Sequence, residues 1–232
     1  MQLFFSDNIE SDICSLTEDE SKHCVKVLRM KEGDILSLTD GHGTMCQCRI
    51  IDANPRCCTV TIVERIHEYG LRPYHLHIAV APTKNTARME WFVEKAVEMG
   101  IDEITPIICD HSERCVLKRE RLDKIAVSAV KQSLKAYRPI INPPTPLAKL
   151  IATPFDGQKF IAYCDGDHRL PLREAYHRGS SALMLIGPEG DFSEDEIRRS
   201  LEAGFIPVTL GQCRLRTETA ALAATAFFNL SN

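Results

Sequence analysis

The sequence predicts an α/β protein in two parts: a small β-rich domain over residues 1–70, and a mostly parallel sheet with helices on both faces over residues 74–232. Three observations predict it. Before residue 70, short strand candidates alternate with turn signals. After residue 74, near-continuous apolar strands alternate with amphipathic helices, the pattern of a parallel sheet buried on both sides. Between the two, "HEYGLRPYH" is rich in turn residues and reads as a linker.

In the front part, Thr17-Glu18-Asp19-Glu20 has the form of a capping box. The helix behind it, "SKHCVKVLR", puts Cys24, Val27 and Leu28 on one face. "DILSLTDGHGTMCQCRIIDANPRCCTVTIVERI" then gives three strands, separated by Gly41-His42-Gly43 and Asn54-Pro55. Beyond the linker, "HLHIAVA" is a continuous apolar strand. Met89, Phe92, Val93, Ala96 and Val97 follow helical spacing, and Gly100 is placed to end their helix. "EITPIIC" is the next strand. A helix from Arg119 carries Leu122, Ile125, Ala126, Ala129 and Val130 on one stripe. "INPPTP" breaks the chain, and strands follow at "KFIAYCD", "ALMLIG" and "IPVTLG", separated by helical segments.

At 232 residues and 44% apolar content, the chain can fill a sizeable core. No stretch reaches the roughly 20 apolar residues of a membrane span, and "MQLFFSDNIESD" has neither the basic nor the long apolar region of a signal peptide. The ten cysteines are scattered without a Cys-x-x-Cys, which points to reduced, mostly buried thiols in a cytoplasmic protein. His75 and His77 share a strand face without a third ligand nearby in sequence, so a structural role is expected and no metal site. Net charge is -4, but Arg114 to Arg138 holds eight Lys/Arg against two acids, a local +6 that leaves -10 for the rest. Such a run is either a solvated face or a surface for an anionic partner.

Two loops leave the carboxyl ends of strands that look like neighbours: Gly187-Pro188-Glu189-Gly190-Asp191-Phe192 and Gly211-Gln212-Cys213-Arg214-Leu215-Arg216-Thr217-Glu218-Thr219-Ala220. Ligands of parallel sheets bind at these ends. On their own the glycines are equally consistent with tight turns, and Thr217 or Thr219 with capping the last helix. Ser193 followed by Glu194, Asp195 and Glu196 is a capping box whose acids oppose a phosphate at that helix start. Neither Gly-x-x-x-x-Gly-Lys-Ser/Thr nor Gly-x-Gly-x-x-Gly occurs. A ligand held by backbone groups, without phosphate and with positive charge, fits better, and S-adenosylmethionine has these properties.

"LIGPEGDFSEDEI" followed by "LGQCRLRTETAALAA" resembles the C-terminal signature of the SPOUT methyltransferases, most closely the RsmE family, which methylates N3 of a uridine in 16S ribosomal RNA. "HCVKVLRMKEGD", "EKAVEMGIDEITPI" and "AVKQSLKAYRPII" extend the resemblance over the chain. It implies a PUA-like β-barrel in front, a deep trefoil knot and cofactor site at about 161–228, and a homodimer acting on the small ribosomal subunit. It also implies that Tyr163, Cys164 and Asp165, then Ile186, Gly187, Pro188, Glu189 and Gly190, then Leu210, Gly211, Gln212, Cys213, Leu215, Arg216 and Thr217 wrap S-adenosylmethionine. Two departures stand out. The family usually has glycine where this chain has Asp191, a residue that tolerates positive φ better than most. The family's arginine near the N-terminus is missing from "MQLFF".

The implied chemistry needs a base or an anion stabiliser for uridine N3, and no metal, because the leaving group is a neutral thioether. Arg216 is the first candidate, to stabilise charge on O2 and O4, with an ion pair to Glu218 or Glu189 as its competing role. Glu189 is a candidate base or cofactor contact, and Glu218 either a third catalytic residue or the cap of its own helix. Lys22, Lys26, Arg29, Arg88, Lys118, Arg119, Arg121, Lys131, Lys135, Arg138 and Arg214 are the candidates for RNA phosphates. Phe192 or Tyr137 is expected to stack on a flipped base, with packing the competing role of Phe192. Two rivals stay open: methylation of another RNA position, such as a ribose 2′-oxygen or a tRNA site, and a non-catalytic RNA-binding module.

Overall fold

The computed structural model describes residues 2–7, 9, 11–164 and 169–232. They form two compact units: residues up to Leu71 together with Val127–Arg138, and Arg72–Ala126 together with Pro139–Asn232.

The front unit is a mixed five-stranded sheet of β1 (Leu3–Phe5), β2 (Ile13–Ser15), β3 (Ile35–Thr39), β4 (Met45–Asp52) and β5 (Thr59–Ile66), in the order β1-β3-β4-β5-β2. β1 runs parallel to β3 and the other pairs are antiparallel. β3 to β5 are the three strands the sequence predicts; β1 and β2, three residues each, are too short to show an alternation. No pairing joins β1 to β2 among the described residues, so the sheet is an open form of the implied barrel. Alternate residues of β3 and β4 fill the core with Phe4, Leu36, Leu38 and Ile50, and with five buried cysteines, Cys14, Cys24, Cys46, Cys48 and Cys58. Burial pushes the thiols of Cys24 and Cys48 up to about 12, so they pack as small apolar groups.

Helix α1 (Glu18–Lys22) starts as expected at Thr17, whose hydroxyl accepts the Glu20 N–H at 3.4 Å. The Glu20 carboxylate pairs instead with Lys131. The next turn, His23–Val27, is π-helical, closed by the Leu28 N–H on the His23 carbonyl at 2.9 Å. The wider turn shifts the apolar stripe. Val27, expected to face inward, is 65% exposed, and Val25 packs on the core in its place. Residues 127–138 close the unit: Ala136 is buried with Leu3 and Met45, and Arg138 N–H donates to the Gly41 carbonyl at 2.9 Å. Gly43, at φ +101, lies directly against the Tyr137 hydroxyl and leaves no room for a Cβ.

The rear unit is built on β6 (Leu76–Val80), β7 (Glu103–Ile108), β8 (Ile140–Ile141), β9 (Thr145–Pro146), β10 (Gln158–Ala162), β11 (Leu170–Pro171), β12 (Ala182–Ile186) and β13 (Ile206–Thr209). The order is β11-β13-β10-β12-β6-β7-β8, with β9 on β7, and each pair is parallel, as predicted. β6 and β12 are buried along their whole length, which their continuous apolar runs require. α2 (Thr86–Met99) and α7 (Thr217–Ser231) pack together on one face; α4 (Leu147–Ile151) and α6 (Glu194–Glu202) pack on the other. α3 (Arg119–Gln132) and the single turn α5 (Leu172–Ala175) complete the chain. All five stripe residues of α2 are buried, and Gly100 ends the helix at φ 105.

At the amino edge of this sheet, His75 and His77 do share a face, around Glu103. His75 Nε2 lies 2.9 Å from Glu103 Oε2, and His77 Nε2 lies 2.7 Å from Thr105 Oγ1. Asn142 donates to both Glu103 and Thr105, at 2.6 and 2.7 Å. The Glu103 contact raises the His75 pKa, whereas burial lowers that of His77 to about 4. Among the described residues no helix is long and apolar enough to cross a membrane.

Candidate functional site

The parallel register brings the carboxyl ends of β13, β10 and β12 side by side, so the two glycine loops flank the end of β10 and are not neighbours as the sequence suggested. A cleft of about 880 Å³ opens between them, within the usual size of a ligand site. Tyr163 and Cys164 line it from the β10 end; Ile186, Gly187 and Pro188 from the second loop; Leu210, Gly211, Gln212, Cys213, Leu215 and Thr217 from the third. Glu189, Gly190 and Arg216 lie outside this lining, and Asp165 lies outside the described residues. Sequence reasoning missed the floor of the cleft: Ala220, Ala223 and Phe227 of α7, whose i, i+3, i+7 spacing was the available signal. It also missed Arg169, Leu172 and Arg173 beside β11.

The glycines were expected to admit a ligand to the backbone. At Gly187 and Gly190 protein side chains occupy the approach, whereas at Gly211 nothing lies within 4 Å of where a Cβ would be. A Cβ at Gly187 would come within 3.0 Å of the Phe192 ring, and one at Gly190 within 3.1 Å of His111. Phe192 is 5% exposed and belongs to the core with Ile161 and Leu185, so it packs rather than stacks on a base. Tyr137 is half-buried, its hydroxyl against Gly43.

Hydrogen bonds fix the loops to one another. Asp191 adopts φ +63, and its Oδ2 accepts the Cys164 N–H at 2.7 Å, joining the first loop to the second. The Thr217 hydroxyl donates to the Gly187 carbonyl at 3.0 Å, joining the third to the second. Thr217 thus caps no helix; Arg216 holds the N-cap position of α7. Ser193 and Glu196 form the expected capping box, and Glu196 also accepts the Asp110 N–H at 2.9 Å, so the α6 start is closed to an anion. On the outer side, Glu189 Oε1 accepts the Lys84 N–H at 3.1 Å, and His111 Nδ1 donates to the carbonyls of Gly190 and Asp191 at 3.1 and 3.0 Å.

The candidate catalytic residues part ways. Arg216 is exposed and pairs with neither glutamate. Glu218 is buried and faces Arg88, Nε to Oε1 at 3.6 Å, so a candidate acid and a candidate RNA contact hold each other. Arg214 is exposed and lines the cleft. Lys118, Arg119 and Arg121 are exposed near the start of α3, with Arg119 beside Asp123 at 3.6 Å and Arg121 gripping Glu90 with two nitrogens. In the front unit Lys22 pairs with Glu18 at 2.7 Å, Lys26 and Arg29 are exposed, and Lys131 and Arg138 lie over the rings of Phe4 and Phe5, each at 5.9 Å. Lys135 is half-buried there.

Residues 71–229 match the model of an RNA methyltransferase domain, and residues 16–63 that of an RNA methyltransferase PUA domain. The ribosomal RNA small subunit methyltransferase E of Bacillus subtilis is 30% identical over 230 residues, covering 93% of this chain and 89% of its own. Among solved structures, a probable rRNA-methyltransferase from Porphyromonas gingivalis is 44% identical with a TM-score of 0.93, covering 99% of this chain and 98% of its own. A ribosomal RNA small subunit methyltransferase E from Neisseria gonorrhoeae, bound to S-adenosyl methionine, is 28% identical with a TM-score of 0.87, covering 99% and 97%. Domain match, relatives and fold agree along nearly the whole length: the chain belongs to the ribosomal RNA small subunit methyltransferase E family.

Proposed function

We propose that this protein transfers a methyl group from S-adenosylmethionine to N3 of a uridine in 16S ribosomal RNA. The observation that carries the reading is the cleft at the carboxyl ends of β10, β12 and β13, in a chain of this family. Its chemistry fits the cofactor. Three loops line it, Tyr163, Leu210, Leu215 and Phe227 offer apolar surface to an adenosine, and the helix start beside it rejects phosphate. The Neisseria gonorrhoeae relative holds S-adenosyl methionine, which supports the same assignment here.

When bound, the cofactor supplies a methyl carbon activated by a positively charged sulfur. Arg216, exposed beside the cleft, stabilises the negative charge that uridine O2 and O4 acquire as the N3 proton leaves. Glu189, exposed and outside the cleft lining, is assigned as the base that takes the N3 proton; Glu218, buried against Arg88, holds that arginine toward RNA. The front domain, residues 1–70, and the methyltransferase domain, residues 74–232, each carry candidate RNA contacts. Lys22, Lys26, Arg29, Lys131, Lys135 and Arg138 contact phosphates from one unit, and Arg88, Lys118, Arg119, Arg121 and Arg214 from the other. We assign the protein to the cytoplasm, as a homodimer acting on the small ribosomal subunit. The same reading carries a trefoil knot over 161–228.

The test is incubation of the purified protein with small ribosomal subunits and S-adenosylmethionine, followed by mass spectrometry of the RNA nucleosides. 3-Methyluridine is expected. A ribose-methylated nucleoside would move the target to the 2′-oxygen, and bound cofactor with no product would favour an RNA-binding module.

A further inference from the structure

We propose that Asp191 makes the cleft selective for positive charge at the ligand's sulfur, so that the sulfonium cofactor is held more tightly than its neutral thioether product. The inference rests on the methyl-transfer reading and adds to it a residue where the resembling family has glycine. Two observations on this chain, with the chemistry of the ligand, carry it.

The carboxylate is fixed. Oδ2 accepts the Cys164 N–H at 2.7 Å and Oδ1 the Phe192 N–H at 2.9 Å. The backbone sits at φ +63, in the left-handed region, and Oδ1 lies 3.4 Å from where a Cβ on Gly187 would be. The group therefore spans the ends of β10 and β12, held against the backbone of both cleft loops.

It lines the cleft, and among the described lining residues it is the one acid. Among the described lining residues the charged ones are Arg169, Arg173, Arg214 and Asp191. A cation in this cleft meets repulsion from the arginines and attraction at Asp191. A carboxylate offers about four lone-pair sites, and two backbone N–H bonds leave acceptor capacity to spare.

The ligand changes charge at one atom. The adenosine, the ammonium and the carboxylate of the methionine part are the same before and after transfer. The sulfur alone changes: its bond to the methyl carbon breaks, the electron pair stays on sulfur, and the methyl forms its new bond to N3, whose proton passes to a base. Placed near that sulfur, the fixed carboxylate would attract the reactant and lose the attraction in the product. At a few ångströms and partial screening, this amounts to on the order of tenfold in relative affinity.

The test measures binding of three ligands by calorimetry: S-adenosylmethionine, S-adenosylhomocysteine, and sinefungin, which carries an ammonium group at the reacting position. The variants are Asp191→Asn, which keeps an acceptor and tolerates the backbone conformation, and Asp191→Gly, which suits that conformation without a side chain. Expected is a drop of about tenfold in the preference for S-adenosylmethionine over S-adenosylhomocysteine in both variants, with sinefungin following S-adenosylmethionine. An equal loss for all three ligands, or no change in any, overturns the proposal and leaves Asp191 as a loop tie only. Failure of the wild-type protein to bind any of the three overturns the methyl-transfer reading itself.

Discussion

The two ends of the rear unit's sheet are made from the same strands and do opposite things. At the amino edge, polar side chains satisfy one another: Glu103 is shared by His75, His77 and Asn142, and Arg72 pairs with Asp102 at 2.5 Å. At the carboxyl edge, loops hold each other by single bonds from Asp191 and Thr217, and Arg214 and Arg216 stay exposed around a cleft. One edge uses its polar groups on itself; the other ties its loops with two of them and leaves Arg214 and Arg216 exposed. A strand's alternation produces both, so the distinction lies in what the loops do with the ends.

The largest expected effect separates the edges by activity. Arg216→Ala lowers kcat by about 10²–10³-fold, as loss of an anion stabiliser does, while urea unfolding shifts by less than about 0.5 kcal/mol, because the side chain is exposed. A variant that loses stability instead would make Arg216 part of the frame.

Acid probes the other edge. The His77 pKa is lowered from 6.5 to about 4 in the fold, so between these values the unfolded chain binds the extra proton. Its contribution is complete above pH 6.5 and is lost as pH falls toward 4, up to about 3 kcal/mol. His75, with a raised pKa, works in the other sense: its pairing with Glu103 is complete below pH 6.5 and lost as pH rises through the folded value. Urea titrations at pH 7 and 4.5 should show the acid loss in the wild type and a smaller one in His77→Gln, with cofactor affinity at pH 7 unchanged in the variant.

Thr217→Val asks whether the carboxyl edge also supports the fold. Its hydroxyl is buried on the Gly187 carbonyl, so removal should cost about 1 kcal/mol in urea unfolding. Because it joins two cleft loops, S-adenosylmethionine binding should weaken as well; stability loss without weaker binding would place Thr217 with the frame.

The smallest effect belongs to the exposed charges. Arg121→Ala breaks a surface pair with Glu90 and should leave the urea midpoint nearly unchanged, because an exposed pair is screened by solvent. If Arg121 contacts a phosphate, RNA affinity falls and the salt dependence of binding drops by about one counterion.

Much of the frame could be read from the sequence because it is periodic. The stripe of α2, its Gly100 stop and the continuous runs of β6 and β12 each state their burial locally. Asp191 was legible as a residue able to take positive φ, and the Ser193–Glu196 box as a closed helix start. What failed to show depends on partners far along the chain. Glu189 bonds to Lys84 and Glu218 faces Arg88, more than a hundred residues away in each case. The stripe of α3 shows that a face is buried but not that residues 127–138 belong with the front unit. Val27 was misplaced because a π-helical turn breaks the spacing on which the reading relied. Gly187 and Gly190 were legible as close approaches, but their neighbours are Phe192 and His111, which spacing cannot reveal.

The most direct test of the account is a calorimetric titration of the purified protein with S-adenosylmethionine, with ATP and NAD as controls. Saturable binding of S-adenosylmethionine, one per chain, with none for ATP or NAD, is the predicted result. A folded protein that fails to bind S-adenosylmethionine, or that binds ATP or NAD equally well, would contradict it.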